Sequence, residues 1–114
     1  MRKLLFILLL LPLSAFGASN VLTWDETSTN ETGFRVERKA EACTGPGAFT
    51  EIGAVAANIV TFTDSGVVEG QTYCYRVRAS GQGGLFSGYS NTAQRTVPFT
   101  APVAPSNLQV QGGP

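Results

Sequence analysis

Three carboxylates and an amide crowd one polar stretch: Asp25, Glu26 and Glu31, with Asn30 beside them. Paired carboxylates can hydrolyse a glycosidic bond when one keeps its proton and the other stays ionised. A short solvated loop offers no burial to separate two such pKa values, so that chemistry is not assigned. The same oxygens could hold calcium, but acidic turn residues are ordinarily just solvated, and no metal is assigned. The chain contains no His, which removes the commonest general base and metal ligand. Its two cysteines, Cys43 and Cys74, fall short of the four ligands of a structural zinc site. No Gly-rich segment lies between a strand and a helix to cradle a phosphate. No catalytic residue and no cofactor are assigned, and the chain reads as non-enzymatic.

What is left is binding chemistry. Arg35, Arg76 and Arg78 could form a ligand patch, and Phe86 and Tyr89 could contact a polysaccharide or a protein. The plainer reading of the arginines is a solvated, charged sheet face that discourages aggregation, and it is preferred. The plainer role of the two rings is core or rim packing, which suits Tyr89 better than Phe86.

These side chains must be carried by strands. Residues 21–24 and 34–38 alternate apolar and polar, which puts Leu22, Trp24, Phe34 and Val36 inside and Thr23, Arg35 and Glu37 outside. Residues 73–79 alternate likewise: Tyr73, Tyr75, Val77 and Ala79 share one face, and Cys74, Arg76 and Arg78 the other. Further short strands are predicted at 49–55, 60–63 and 89–96, separated by Gly-, Pro-, Asp- and Ser-bearing turns. No segment from residue 18 onward has a helical apolar period. Short strands at this spacing make an all-β sandwich or barrel.

Residues 1–17 read as a secretory signal peptide. Arg2 and Lys3 precede an apolar run, 4–11, and Ala15 and Gly17 suit a signal peptidase. The run is well short of the ~20 apolar residues of a spanning helix. The exported protein is expected to be secreted or periplasmic, or to work at the cell surface, with no membrane contact once the leader is gone. The whole chain balances 8 basic against 8 acidic residues, and losing Arg2 and Lys3 leaves it net acidic. That disfavours nucleic acid as a partner. In an oxidising compartment Cys43 and Cys74 pair as one disulfide; two unpaired thiols are the alternative.

At this point the residues resemble a family. Trp24, the run from Asn30 to Arg38, the set Val67, Gly70 and Tyr73, and the run from Ser87 to Asn91 are together similar to a fibronectin type III domain of the variety common in secreted bacterial proteins. The match covers about 21–97. The resemblance implies an immunoglobulin-like sandwich of two antiparallel sheets, filling 18–97. Strands A, B and E form one sheet, and C, C-prime, F and G the other. It implies a core of Leu22, Trp24, Phe34, Val36, Phe62, Tyr73, Tyr75 and Val77, with Trp24 beside Phe34, Phe62 and Tyr75. Tyr73 is the corner tyrosine, whose hydroxyl caps backbone. It places Cys43 and Cys74 close enough to bond on the outer face, and brings loops 25–32 and 80–87 to one pole, where relatives often bind partners. Residues 80–87 contain no Arg-Gly-Asp triplet, so integrin adhesion has no support.

The chain departs from the family at strand A. Residues 18–20 lead directly into strand B, while Ser106, Asn107, Leu108, Gln109 and Val110 look like a strand A displaced behind a Pro-bearing connector, 98–105. Two functions follow as expectations. One is an exported interaction module that binds a protein or polysaccharide. The other is a structural subunit that assembles head to tail into homo-oligomers by donating its C-terminal strand. A loose tail, or a truncated tandem array in which residue 104 opens the next domain, are the remaining readings of 98–114.

Overall fold

A computed structural model describes residues 17–114. The expected signal peptide therefore lies almost wholly outside the described residues. Six strands follow in order: β1 (Asn20–Thr23), β2 (Gly33–Lys39), β3 (Thr50–Ala56), β4 (Thr61–Asp64), β5 (Thr72–Ser80) and β6 (Ala93–Thr96). One 3-10 turn, Gln82–Gly84, interrupts the connection from β5 to β6. Two antiparallel sheets result. β1 pairs with β4, and the larger sheet runs β3-β2-β5-β6. The fold is a β-sandwich.

The inward faces are those the alternation predicts. Phe34, Val36 and Val77 form one buried cluster, against which Leu22, Trp24, Ile52, Val55, Phe62 and Ala79 pack. Tyr73, Tyr75 and Val97 form a second, and Leu22 and Ile52 touch both. Trp24 stands beside Phe34, with ring centroids 5.5 Å apart. Tyr75 belongs to the second cluster rather than to the surroundings of Trp24, because its hydroxyl is drawn to polar partners at the far end of β1. Trp24 is only half-buried. Among the described residues, no strand covers the side of β1 away from β4.

The pairing of β2 with β3 slips between Val36 and Glu37: Val36 faces Gly53, and Glu37 faces Glu51. The extra residue, Ile52, turns inward as a bulge allows. Gly53 also approaches the core, and a Cβ there would run into the Phe62 ring.

A polar network ties the two sheets where β1 starts and β6 ends. Asn20 Nδ2 donates to the Tyr75 hydroxyl (2.8 Å), which donates to Asp64 Oδ2 (2.7 Å). Arg38 donates to the same carboxylate at 2.9 Å, and its guanidinium lies over the Tyr73 ring. Arg95 closes the circuit by donating to Asn20 Oδ1 at 2.7 Å. The Tyr73 hydroxyl accepts from the Val68 N–H at 2.9 Å, which fastens the β4–β5 corner.

Most strands lie about one residue off the expected bounds, and β6 differs most. β4 starts at Thr61 rather than at 60. β6 starts at Ala93 rather than at 89, because serine hydroxyls stand in for ladder carbonyls. Ser90 Oγ accepts from the Val77 N–H (3.0 Å) and Ser87 Oγ from the Ala79 N–H (2.8 Å). The strand-like tail, 101–114, is exposed throughout and carries no strand.

Candidate functional site

The outer face of the larger sheet is not simply solvated. Strand register sets Arg35 opposite Arg78, Glu37 opposite Arg76 and Lys39 opposite Cys74. Like charges directly opposite repel, and Phe86 intervenes between the first pair. Its centroid lies 5.5 Å from the Arg35 guanidinium and 3.9 Å from that of Arg78. The alternation of ring and cation then continues along the face. Tyr89 lies 4.8 Å from Arg78 and 3.6 Å from Arg76, and Phe49 lies 4.1 Å from Arg76 and 5.1 Å from the Lys39 ammonium.

Glu37 anchors the middle of this ladder. It accepts from Arg76 Nε at 2.7 Å and from the Tyr89 hydroxyl at 3.0 Å, and it is buried. The expectation that Glu37 faces solvent is thus corrected: it points outward from the sheet, but Arg76 and Tyr89 cover it. Tyr89 is likewise no core residue; it lies on the outer face. Arg35 is paired with Glu51 at 3.2 Å. Among the described residues Arg78 has no carboxylate within ion-pair distance, and its buried Nε has no hydrogen-bond partner.

At the end of the face near Phe86, the stretches 25–32 and 80–87 meet, as the resemblance implied. The Thr32 N–H donates to the Ser80 carbonyl at 2.7 Å. Between them lies an open depression of about 600 Å³, bordered by Ser28, Asn30, Thr32, Gln82, Leu85 and Phe86 among others. Leu85 and Phe86 are exposed on its rim. One carboxylate oxygen of Glu31, which also borders it, is buried without a partner. The neighbouring Glu31 carboxyl raises the Glu26 carboxyl from its ordinary value, while Glu31 is lowered by its proximity to Glu26 and by the Asn58 N–H that donates to it. Among the described residues no three acidic or sulfur side chains converge as a metal site would need.

At the opposite pole Cys43 and Cys74 form the disulfide, with Cα atoms 5.0 Å apart and Cys74 fully buried. Lys39, beside it, donates to the carbonyls of Cys43 and Gly45. A disulfide belongs with an oxidising compartment. Among the described residues no helix is long and apolar enough to cross a membrane.

The structure brings Arg35, Arg76, Arg78, Phe86 and Tyr89 together in one ladder. Phe49, Lys39 and Glu37 complete it, and sequence reasoning missed them as partners. Period-two alternation already put Glu37 and Lys39 on the face of Arg35. Only the third dimension folds Phe49 back over that face.

No family model and no characterised relative matches the sequence. Solved structures do. Pectate lyase PelI from Erwinia chrysanthemi, in complex with tetragalacturonic acid, is 22% identical with a TM-score of 0.59, over 68% of this chain and 25% of that one. The twitchin kinase region from C. elegans is 18% identical with a TM-score of 0.58, over 70% and 14%. A computationally redesigned β-sandwich protein is 19% identical with a TM-score of 0.56, over 73% and 79%. The likeness is one of fold. This chain spans only a quarter or less of the lyase and twitchin chains it matches.

Proposed function

We propose that the protein is an exported, non-enzymatic interaction module of fibronectin type III type that holds a polysaccharide or protein partner at its loop pole. Of the two partners, polysaccharide suits the pole better. The observation that carries this reading is the position of Phe86. It is 41% exposed, borders the loop depression, and is the last ring of the cation–ring ladder on that side. A sugar ring can rest on such an aromatic edge while hydroxyls, amides and a carboxylate around it supply directional hydrogen bonds. The Arg78 guanidinium, stacked on Phe86 and without a carboxylate partner among the described residues, leaves a positive charge that suits an acidic sugar. The similar lyase structure holds tetragalacturonic acid, which makes an acidic polysaccharide the first probe to try.

Affinity electrophoresis of the exported protein through gels loaded with acidic or neutral polysaccharides tests the reading. Retardation is expected in an acidic gel, with at least a tenfold loss of affinity in Phe86→Ala and a smaller loss in Arg78→Gln. Migration unaffected by every polysaccharide, or retardation indifferent to Phe86, would overturn it.

A further inference from the structure

The open edge of β1 and the unattached tail lie on one molecule and complement each other in chemistry. β1 bonds to β4 on one side, and on the other side, among the described residues, no strand meets it. A cleft of about 630 Å³ runs there between β1 and the approach to β6, bordered by Val21, Leu22 and Trp24 on one wall and Ser90, Ala93 and Arg95 on the other. Val21 is 66% exposed, and the buried indole nitrogen of Trp24 has no partner. This is the profile of a sheet edge with a strand-sized vacancy.

The tail has the matching shape. In residues 101–114 Val103, Leu108 and Val110 are each about nine-tenths exposed, and no hydrogen bond joins this segment to the sandwich. Leu108 and Val110 are two apart, so in an extended strand both would face the cleft while Asn107 and Gln109 face away.

The tail is also held where it cannot easily fill the cleft of its own chain. Val97 is fixed by backbone bonds to Gln71 and Gly70, and Phe99 lies against Gly70. Gly70 has φ +85°, and a Cβ there would meet that ring. Thr100 then bonds the Glu69 carboxylate through both its N–H and its hydroxyl (3.2 and 2.7 Å). The clamp leaves residues 101–105 as free connector, which reach at most ~16–18 Å. The cleft runs from Asn20 to Asp25, about 17–20 Å at strand spacing. To pair antiparallel to β1, the tail must first cover that distance from its clamp and then turn back. A second copy imposes no such return, because a donated strand can enter from the far end.

We infer that the cleft beside β1 is an acceptor groove for residues 106–110 of a second copy, so that each exported subunit completes the next. The inference is independent of the loop-pole reading, since the groove borrows no residue from the Phe86 depression.

The test uses the exported protein, residues 18–114, its deletion lacking 104–114, and the variant Leu108→Asp. Neither change touches the sandwich, because the tail makes no hydrogen bond to it beyond Thr100. Light scattering after size exclusion should show the mass of the unaltered protein rising with concentration to multiples of the monomer. Both altered proteins should stay monomeric. A synthetic peptide of residues 104–114 should bind the deletion protein and shift the emission of its single tryptophan, Trp24. A monomer at every concentration overturns the inference, whether the tail is loose or has found its own β1. Oligomers that survive the deletion overturn it equally.

Discussion

The Tyr75 hydroxyl donates to Asp64 Oδ2 at 2.7 Å, and with that bond the larger sheet holds the smaller one. Burial alone would raise the Asp64 carboxyl. Hydrogen bonds from Tyr75, Arg38 and the Gly66 N–H outweigh it and hold the group below the usual aspartate range. Burial, followed by the hydrogen bond to Asp64 and then its charge, pushes the Tyr75 phenol well above its ordinary value. Because the folded carboxyl is depressed, its stabilisation is present above the unfolded value of ~3.9 and is lost as pH falls through the folded one. The phenol works in the opposite sense. Its contribution is complete below ~10 and drains away at higher pH. Melting temperature is expected to be flat between about pH 5 and 9 and to drop at both extremes. Asp64→Asn should flatten the acid limb, and a mutant with an unaltered acid limb would contradict this account.

Tyr75→Phe removes the bridging hydroxyl and leaves Asn20 Nδ2 and one carboxylate lone pair unsatisfied in a buried setting. The expected cost is about 1–3 kcal/mol. Urea denaturation reads it directly.

The disulfide closes a separation of 31 residues. By chain-entropy reasoning that is worth about 3–4 kcal/mol. Intact mass should show no free thiol in exported protein. Reductant, or the double change Cys43→Ser with Cys74→Ser, should lower the denaturation midpoint accordingly.

Trp24→Ala should cost about 2–3 kcal/mol, below the ~3–5 of a fully buried aromatic, because one side of the indole faces the open cleft. A loss as large as that of a core aromatic in monomeric protein would mean that the cleft is filled.

Gly53→Val places branched carbon where the Phe62 ring lies. Overpacking of this kind costs about 1–3 kcal/mol, and Phe62→Ala combined with it should recover part of the loss. A calorimetric scan of the four proteins as a double-mutant cycle measures the coupling.

Alternation made much of this molecule legible. Phe34, Val36, Tyr73, Tyr75 and Val77 are buried where period two puts them, because each strand has one face on the core. The bulge at Ile52 was not legible, since a register slip depends on how the partner strand is shaped rather than on either strand alone. Arg38 sits on the inward face of Phe34 and Val36. Its partner was not legible, and only the fold reveals that Asp64, on the other sheet, supplies it. The start of β6 was misplaced because Ser87 and Ser90 look like strand residues in sequence, while their hydroxyls take over bonds that a strand would make with its backbone. The Arg78–Phe86–Tyr89 stack escaped notice as a unit for a similar reason: which ring falls between which guanidiniums is set by the path of the 81–92 loop.

Arg95 links the first strand to the last, bonding both the Ser19 carbonyl and the Asn20 side chain at the pole where the chain enters and leaves the sandwich. Tension applied between those two ends of a lone subunit would pull at this single pole and unzip its bonds one after another. With a neighbour's strand laid along β1, the same tension would run lengthwise through the whole row of bonds at once. A filament built that way would resist pulling far better than any of its separated members.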